Sequence, residues 1–125
     1  MRSSYTDESR TLLTTVGVAV MPDQNHVDAA LGSLSVGGHE RAGLRVVPFP
    51  HTVAADWSDA RRQETSSRSG PMPYAILQVS GWADGRTMPE LADAEPFRHA
   101  DTLLDHLSEF FVHTERPCEE RGVRC

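Results

Sequence analysis

The chain has 125 residues and a mass of 13.8 kDa, enough for one core and too little for two. With 38% hydrophobic and 24% charged residues it is too apolar for a disordered chain. A formal charge of −6, with 12 basic residues against 18 acidic ones, argues against a dedicated nucleic-acid binder. All the basic residues are arginine.

Residues 1–11 (MRSSYTDESRT) are polar. The run Leu12 to Val20 (LLTTVGVAV) is rich in β-branched residues and reads as a strand or as the end of a helix. It falls far short of the ~20 residues that cross a bilayer. It also lacks the basic flank and small-residue cleavage site of a secretory signal, so the expected compartment is the cytoplasm and no membrane partner is expected. After Met21-Pro22-Asp23, residues Val27, Ala30, Leu31 and Leu34 recur at helical spacing, with Asp23 or Asn25 as cap, which predicts a helix over Asn25 to Leu34. Gly37-Gly38 stops it, and Leu44 to Phe49 (LRVVPF) alternates like a strand. Ser58 to Pro73 is poor in apolar residues and is predicted to be a surface loop with a helical turn near Asp56 to Gln63.

Tyr74 to Trp82 (YAILQVSGW) is the strongest strand in the chain, and its apolar start predicts a central position with both faces buried. From Glu95 to Glu115, apolar residues Phe97, Ala100, Leu103, Leu104, Leu107, Phe110 and Phe111 repeat every three or four positions, the signature of an amphipathic helix that Pro117 ends. A single domain over 1–117 is expected, followed by a polar tail, 118–125, which carries Cys118 and Cys125 at a spacing that matches no zinc pattern.

Chemistry-bearing groups are few. A polar row on the last helix, His99, Thr102, His106, Glu109 and His113, has metal-ligand residue types but reads as the wetted flank of an amphipathic helix, so no metal is expected. No serine, Ser80 included, has a nucleophile-elbow context. Gly37-Gly38 lacks the lysine of a phosphate-binding loop and the third glycine of a dinucleotide fingerprint, and no cofactor is expected. Two arginines follow glycines at element boundaries, Arg41 after Gly37-Gly38 and Arg86 after Gly85, and a guanidinium at such an edge can clamp a carboxylate bidentately.

The order of three segments, GSLSVGGHERAGLRVVPFPHTVAAD, PYAILQVSGWADGRTMPE and the LLDHLSEFF helix, resembles the 5-carboxymethyl-2-hydroxymuconate isomerases of the tautomerase superfamily. The resemblance covers roughly residues 25–115. It implies an α+β fold of tautomerase-like β-α-β repeats, a small mixed sheet with two main helices, assembled as a homotrimer. It also implies a keto-enol isomerase acting on a small carboxylated enol or keto acid, with an amino-terminal proline as base and arginines on the substrate carboxylates. Arg86 matches the Gly-Arg arginine. Arg41 matches the Gly-Gly-x-Arg arginine when one residue is inserted between Gly38 and Arg41; otherwise Glu40 takes that place. Arg2 stands where the family has its proline, so Met1 supplies the only amino-terminal amine and weak or altered activity is expected. The resemblance thus names Met1, Arg41 and Arg86 as catalytic candidates, with His39 or His51 as alternative internal bases. The competing reading is a non-catalytic trimeric module of the same fold that binds carboxylates or a partner.

Overall fold

A computed structural model describes residues 1–35, 43–70, 72–86 and 97–110. Four strands and two helices occur in the order β1 (Arg2–Thr6), β2 (Leu12–Val20), α1 (Gln24–Ser35), β3 (Arg62–Ser69), β4 (Tyr74–Trp82) and α2 (Arg98–Glu109), with a short 3-10 turn at Asp59–Arg61 before β3. The strands form one open sheet in the order β1-β2-β4-β3. All three pairings are antiparallel, including the long central ladder from Leu12↔Trp82 to Val20↔Tyr74, where β-α-β repeats would place parallel neighbours.

The β-branched content of Leu12–Val20 resolves as a full-length strand, because both its neighbours supply ladder partners. Gly17 sits where a Cβ would come 2.5 Å from Leu44 Cδ1, so a larger residue there requires the end of the Leu44 side chain to move. Two local hairpins flank the ladder. The turn from β1 to β2 is organised by Asp7, whose carboxylate accepts the backbone N–H groups of Thr11 (2.8 Å) and Leu12 (2.9 Å) and the hydroxyl of Ser9, while Arg10 adopts φ 59°. These bonds, led by that from Ser9, hold the Asp7 carboxyl far below the usual carboxylate range.

Residues 1–11 are an edge strand and a turn, and their polarity matches five strand residues that are all exposed. The Ser58 to Pro73 segment is corrected: it contains β3, the opposite edge, whose bulge between Arg62 and Glu64 interrupts its register with β4. Its polar sequence follows from edge exposure and from side-chain bonds described below. The expected strand at Leu44 to Phe49 is irregular chain instead. Both long strands, β2 and β4, are already paired on each side, and the segment joins neither edge strand, so the alternation of Leu44, Arg45 and Val46 records burial alone.

The pleat divides the core in two. On one face Leu13 and Val79 pack against Val46, Ala54 and Trp57 of the irregular segment, with Leu44 and Val53 alongside. On the other, Val16, Val18 and Ile76 meet Leu104, Leu103 and Leu107 of α2. Phe97, fully buried at the start of α2, contacts Trp82 edge-on with centroids 5.4 Å apart. Helix α1 matches the expected span within a residue, opens with Asp23 accepting the His26 N–H at 3.0 Å, and buries Val27. The described part of the long carboxy-terminal helix is Arg98–Glu109; the remainder of that expectation, Pro117, Cys118 and Cys125 lie outside the described residues. No helix among the described residues is long and apolar enough to cross a membrane.

Candidate functional site

The face of the sheet beneath α2 is apolar at one end and polar in the middle. Alternation along β2, β4 and β3 brings Thr14, Gln78, Ser80 and Ser66 to this face. The first three are almost fully buried. A buried hydroxyl or amide without a partner costs about 1–3 kcal/mol, and here each is satisfied by its neighbour. His99 Nε2 lies 3.0 Å from Thr14 Oγ1, which lies 2.8 Å from Ser80 Oγ. Ser80 donates to Gln78 Oε1 at 2.8 Å, Gln78 Nε2 donates to Ser66 Oγ at 3.0 Å, and Ser66 donates to Asp101 Oδ1 at 2.7 Å. Arg68 closes the far end, donating from Nε to Asp105 at 2.6 Å and lying 3.5 Å from Asp101. These carboxylates, Asp105 first, raise the Arg68 guanidinium above its ordinary value.

On the opposite face, at the β1 edge, a cleft of about 230 Å³ is lined by Ser4, Tyr5, Thr6, Leu13, Phe49, Thr52, Val53 and Ala54. Its far wall is a turn fixed by Thr52, which returns its N–H (3.3 Å) and its hydroxyl (2.8 Å) to the Phe49 carbonyl. Across the floor, Ser4 and Thr15 share a 2.7 Å hydroxyl contact. Phe49, in the cleft lining, is about half exposed. No charged side chain lines this cleft.

Of the residues expected to act together, Met1 and Arg86 stand apart within one chain. The Met1 ammonium donates to the Val18 carbonyl at 2.8 Å, so it is tied into the β1–β2 ladder. Arg86 lies beyond the other end of that strand, its guanidinium 4.9 Å from the ring centroid of Trp82, the partner of Leu12. At ~3.3 Å per strand residue these two groups are separated by about 20 Å within one chain. Arg86 is moreover engaged by Asp84, through Nε at 2.8 and 3.0 Å and through a further contact from Nη2. Their pairing holds the Asp84 carboxyl below and the Arg86 guanidinium above their ordinary values. Arg41, Glu40 and His39 lie outside the described residues, and His51 is exposed at φ 64° in the turn beside the cleft without lining it.

On the polar row of α2, His99 is exposed and its Nε2 also reaches Thr14 of the sheet, while His106 is exposed and stacks edge-on against Phe110. No three His, Cys, Asp or Glu side chains among the described residues converge as a metal site. The sequence motifs name none of Thr14, Ser66, Gln78 and Asp101 as site residues. Their signal was present in the polar residues Gln78 and Ser80, two apart in the most apolar strand, and in Thr14 within the other. No family model, curated protein or solved structure matches this chain.

Proposed function

We propose that the chain is a non-catalytic binding module that takes a small, largely uncharged ring-bearing group in the cleft between β1 and the Phe49–Ala54 turn. The observation that supports it is the character of that cleft: Leu13, Val53 and Ala54 give an apolar wall, Ser4, Thr6 and Thr52 bring hydroxyls, and no charge is present. A dry apolar cavity of about 150 Å³ suffices for benzene, so about 230 Å³ accommodates a substituted ring. This reading sharpens the interaction-module expectation and departs from its carboxylate ligand, because the described arginine nearest to that role, Arg86, is already neutralised by Asp84.

The test is titration of the 15N-labelled protein with p-cresol as probe. Shifts confined to Ser4 to Thr6, Leu13 and residues 49–54, abolished in Thr6→Trp, are expected. Shifts scattered over the surface, or unchanged in Thr6→Trp, would remove the cleft as the site.

A second reading, tautomerase-like isomerisation of a small carboxylated enol, keeps one specific support: β1 pins the Met1 amine at a defined position instead of leaving it loose. Given the separation of Met1 from Arg86 within the chain, this activity requires a homo-oligomer, a trimer on the family's pattern, in which one copy's amine faces another's arginine. Light scattering that shows a monomer, or Arg2→Pro protein without any gain in ultraviolet-monitored proton transfer, would eliminate it.

A further inference from the structure

We infer that Asp101, acting through Ser66, Gln78, Ser80 and Thr14, dictates the tautomer of His99 and holds it as the Nε2–H form. The inference follows from counting protons along the chain of side chains. An ionised carboxylate only accepts, and the Arg68 guanidinium lies 3.5 Å from that of Asp101 as a counter-ion. Ser66 therefore spends its single hydroxyl proton on Asp101 at 2.7 Å and can only accept from Gln78. That settles the orientation of the Gln78 amide: a flipped amide would set its oxygen against a serine with no proton left, so Nε2 faces Ser66 and Oε1 faces Ser80. Ser80 spends its proton on Oε1 and must accept from Thr14, whose proton is thereby committed at 2.8 Å. Thr14 in turn accepts at its 3.0 Å contact with the imidazole, so Nε2 carries the hydrogen.

The consequence reaches the surface of α2. Four buried or half-buried side chains, one from β2, two from β4 and one from β3, transmit the polarity of a carboxylate to a ring two residues earlier on the same helix. In the neutral ring the acceptor lone pair of His99 is thereby assigned to Nδ1. The histidinium form also donates from Nε2, so gain of a proton leaves the hydroxyl chain intact. His26 supplies an internal contrast, since its Nδ1 lies 2.8 Å from the Asp23 carboxylate and must carry the hydrogen there.

Long-range 1H–15N correlation of the labelled protein, about two pH units above the ordinary histidine value of ~6.5, reads both tautomers in one spectrum. His99 is expected to show a pyrrole-type Nε2 and His26 a pyrrole-type Nδ1. In Ser80→Ala the Thr14 proton is released to point at the imidazole, and a pyridine-type Nε2 signal for His99 is expected to emerge while His26 stays unchanged. Thr14→Val, close in shape, removes the acceptor and should return His99 to an exchange-averaged pattern; with the wild-type spectrum it carries the test if Ser80→Ala does not fold. A pyrrole-type Nδ1 for His99 in the wild type, or variant spectra identical to wild type, would overturn the assignment.

Discussion

Replacing Gly81 by alanine probes the tightest point of the sheet. Gly81 pairs with Leu13 on one side and Arg62 on the other, next to the bulge, and its Cα faces the end of the 3-10 turn. An added Cβ would fall on the Arg61 carbonyl oxygen, well inside contact distance, and 2.7 Å from Cη2 of Trp57, a ring only 6% exposed and locked in the core. Neither neighbour is the free end of a flexible chain, so backbone or core must move. Overpacking of this kind costs about 1–3 kcal/mol, and weakening one ladder bond beside the bulge adds about 1 kcal/mol. Against this stands about 0.4–1 kcal/mol from the stiffer unfolded chain. The net expectation is a loss of roughly 2–3 kcal/mol, a large part of a stability that is typically about 5–15 kcal/mol. Gly32 provides the control, because a Cβ there meets nothing within 4 Å in the interior of α1. Gly32→Ala is expected to gain about 0.5–1 kcal/mol from helix propensity. Urea denaturation of both variants, compared at the midpoint with slopes checked for constancy, reads the two signs directly. A Gly81→Ala protein within about 0.5 kcal/mol of wild type would refute the reasoning, since the turn and Trp57 would then have room to give.

Leu104→Ala removes a fully buried side chain from the α2–sheet core, and a loss of about 2–5 kcal/mol is expected by the same denaturation assay. For Asp7, whose folded pKa is depressed, the stabilising contribution is complete above its unfolded value of ~3.9 and is lost as pH falls through the folded value. Asp7→Asn should therefore flatten the acid limb of the stability-versus-pH curve, and an unaltered limb would show that the turn does not depend on the charge. In Arg86→Ala the Asp84 carboxyl is expected to rise toward the ordinary carboxylate range, followed by carbon-detected NMR titration, because its lowering arises first from the Arg86 hydrogen bond.

Periodicity located both helices and β4, because each buries an apolar stripe that the sequence repeats at the matching spacing, whereas at Leu12 to Val20 it left strand and helix end open until the ladder partners decided. It failed at the edges. β1 and β3 have one side open, so their residues are Arg, Ser, Thr and Tyr, or Arg, Gln, Glu, Ser and Thr, and no apolar rhythm marks them. Leu44 to Val46 shows the converse error: burial alternates there while hydrogen bonding does not. The buried polar chain was half legible, in Gln78 and Ser80 two apart on a buried strand, but its ends at Ser66 and Asp101 needed the register of an edge strand that composition conceals. The cleft was illegible because its two walls, β1 and the Phe49–Ala54 turn, are remote in sequence and neither carries a motif.

The topology sets an order of events on the way to the native state. β1–β2 and β3–β4 are hairpins whose strands are neighbours in the chain, so each closes only a short loop. The ladder between β2 and β4 joins Val20 to Tyr74 across about fifty intervening residues and cannot form until that long loop closes. Hairpin formation takes microseconds, while such non-local pairing slows folding toward milliseconds or longer. The rate-limiting collision is therefore the meeting of two preformed ribbons, and the hydroxyl chain through Thr14, Ser80, Gln78 and Ser66 straddles the seam they create. Until the ribbons meet, those groups are wetted and cost nothing; afterwards a shifted register would strand them inside without partners. The polar centre of this sheet thus acts as a proofreader of alignment, rejecting slipped pairings that purely apolar strands would tolerate.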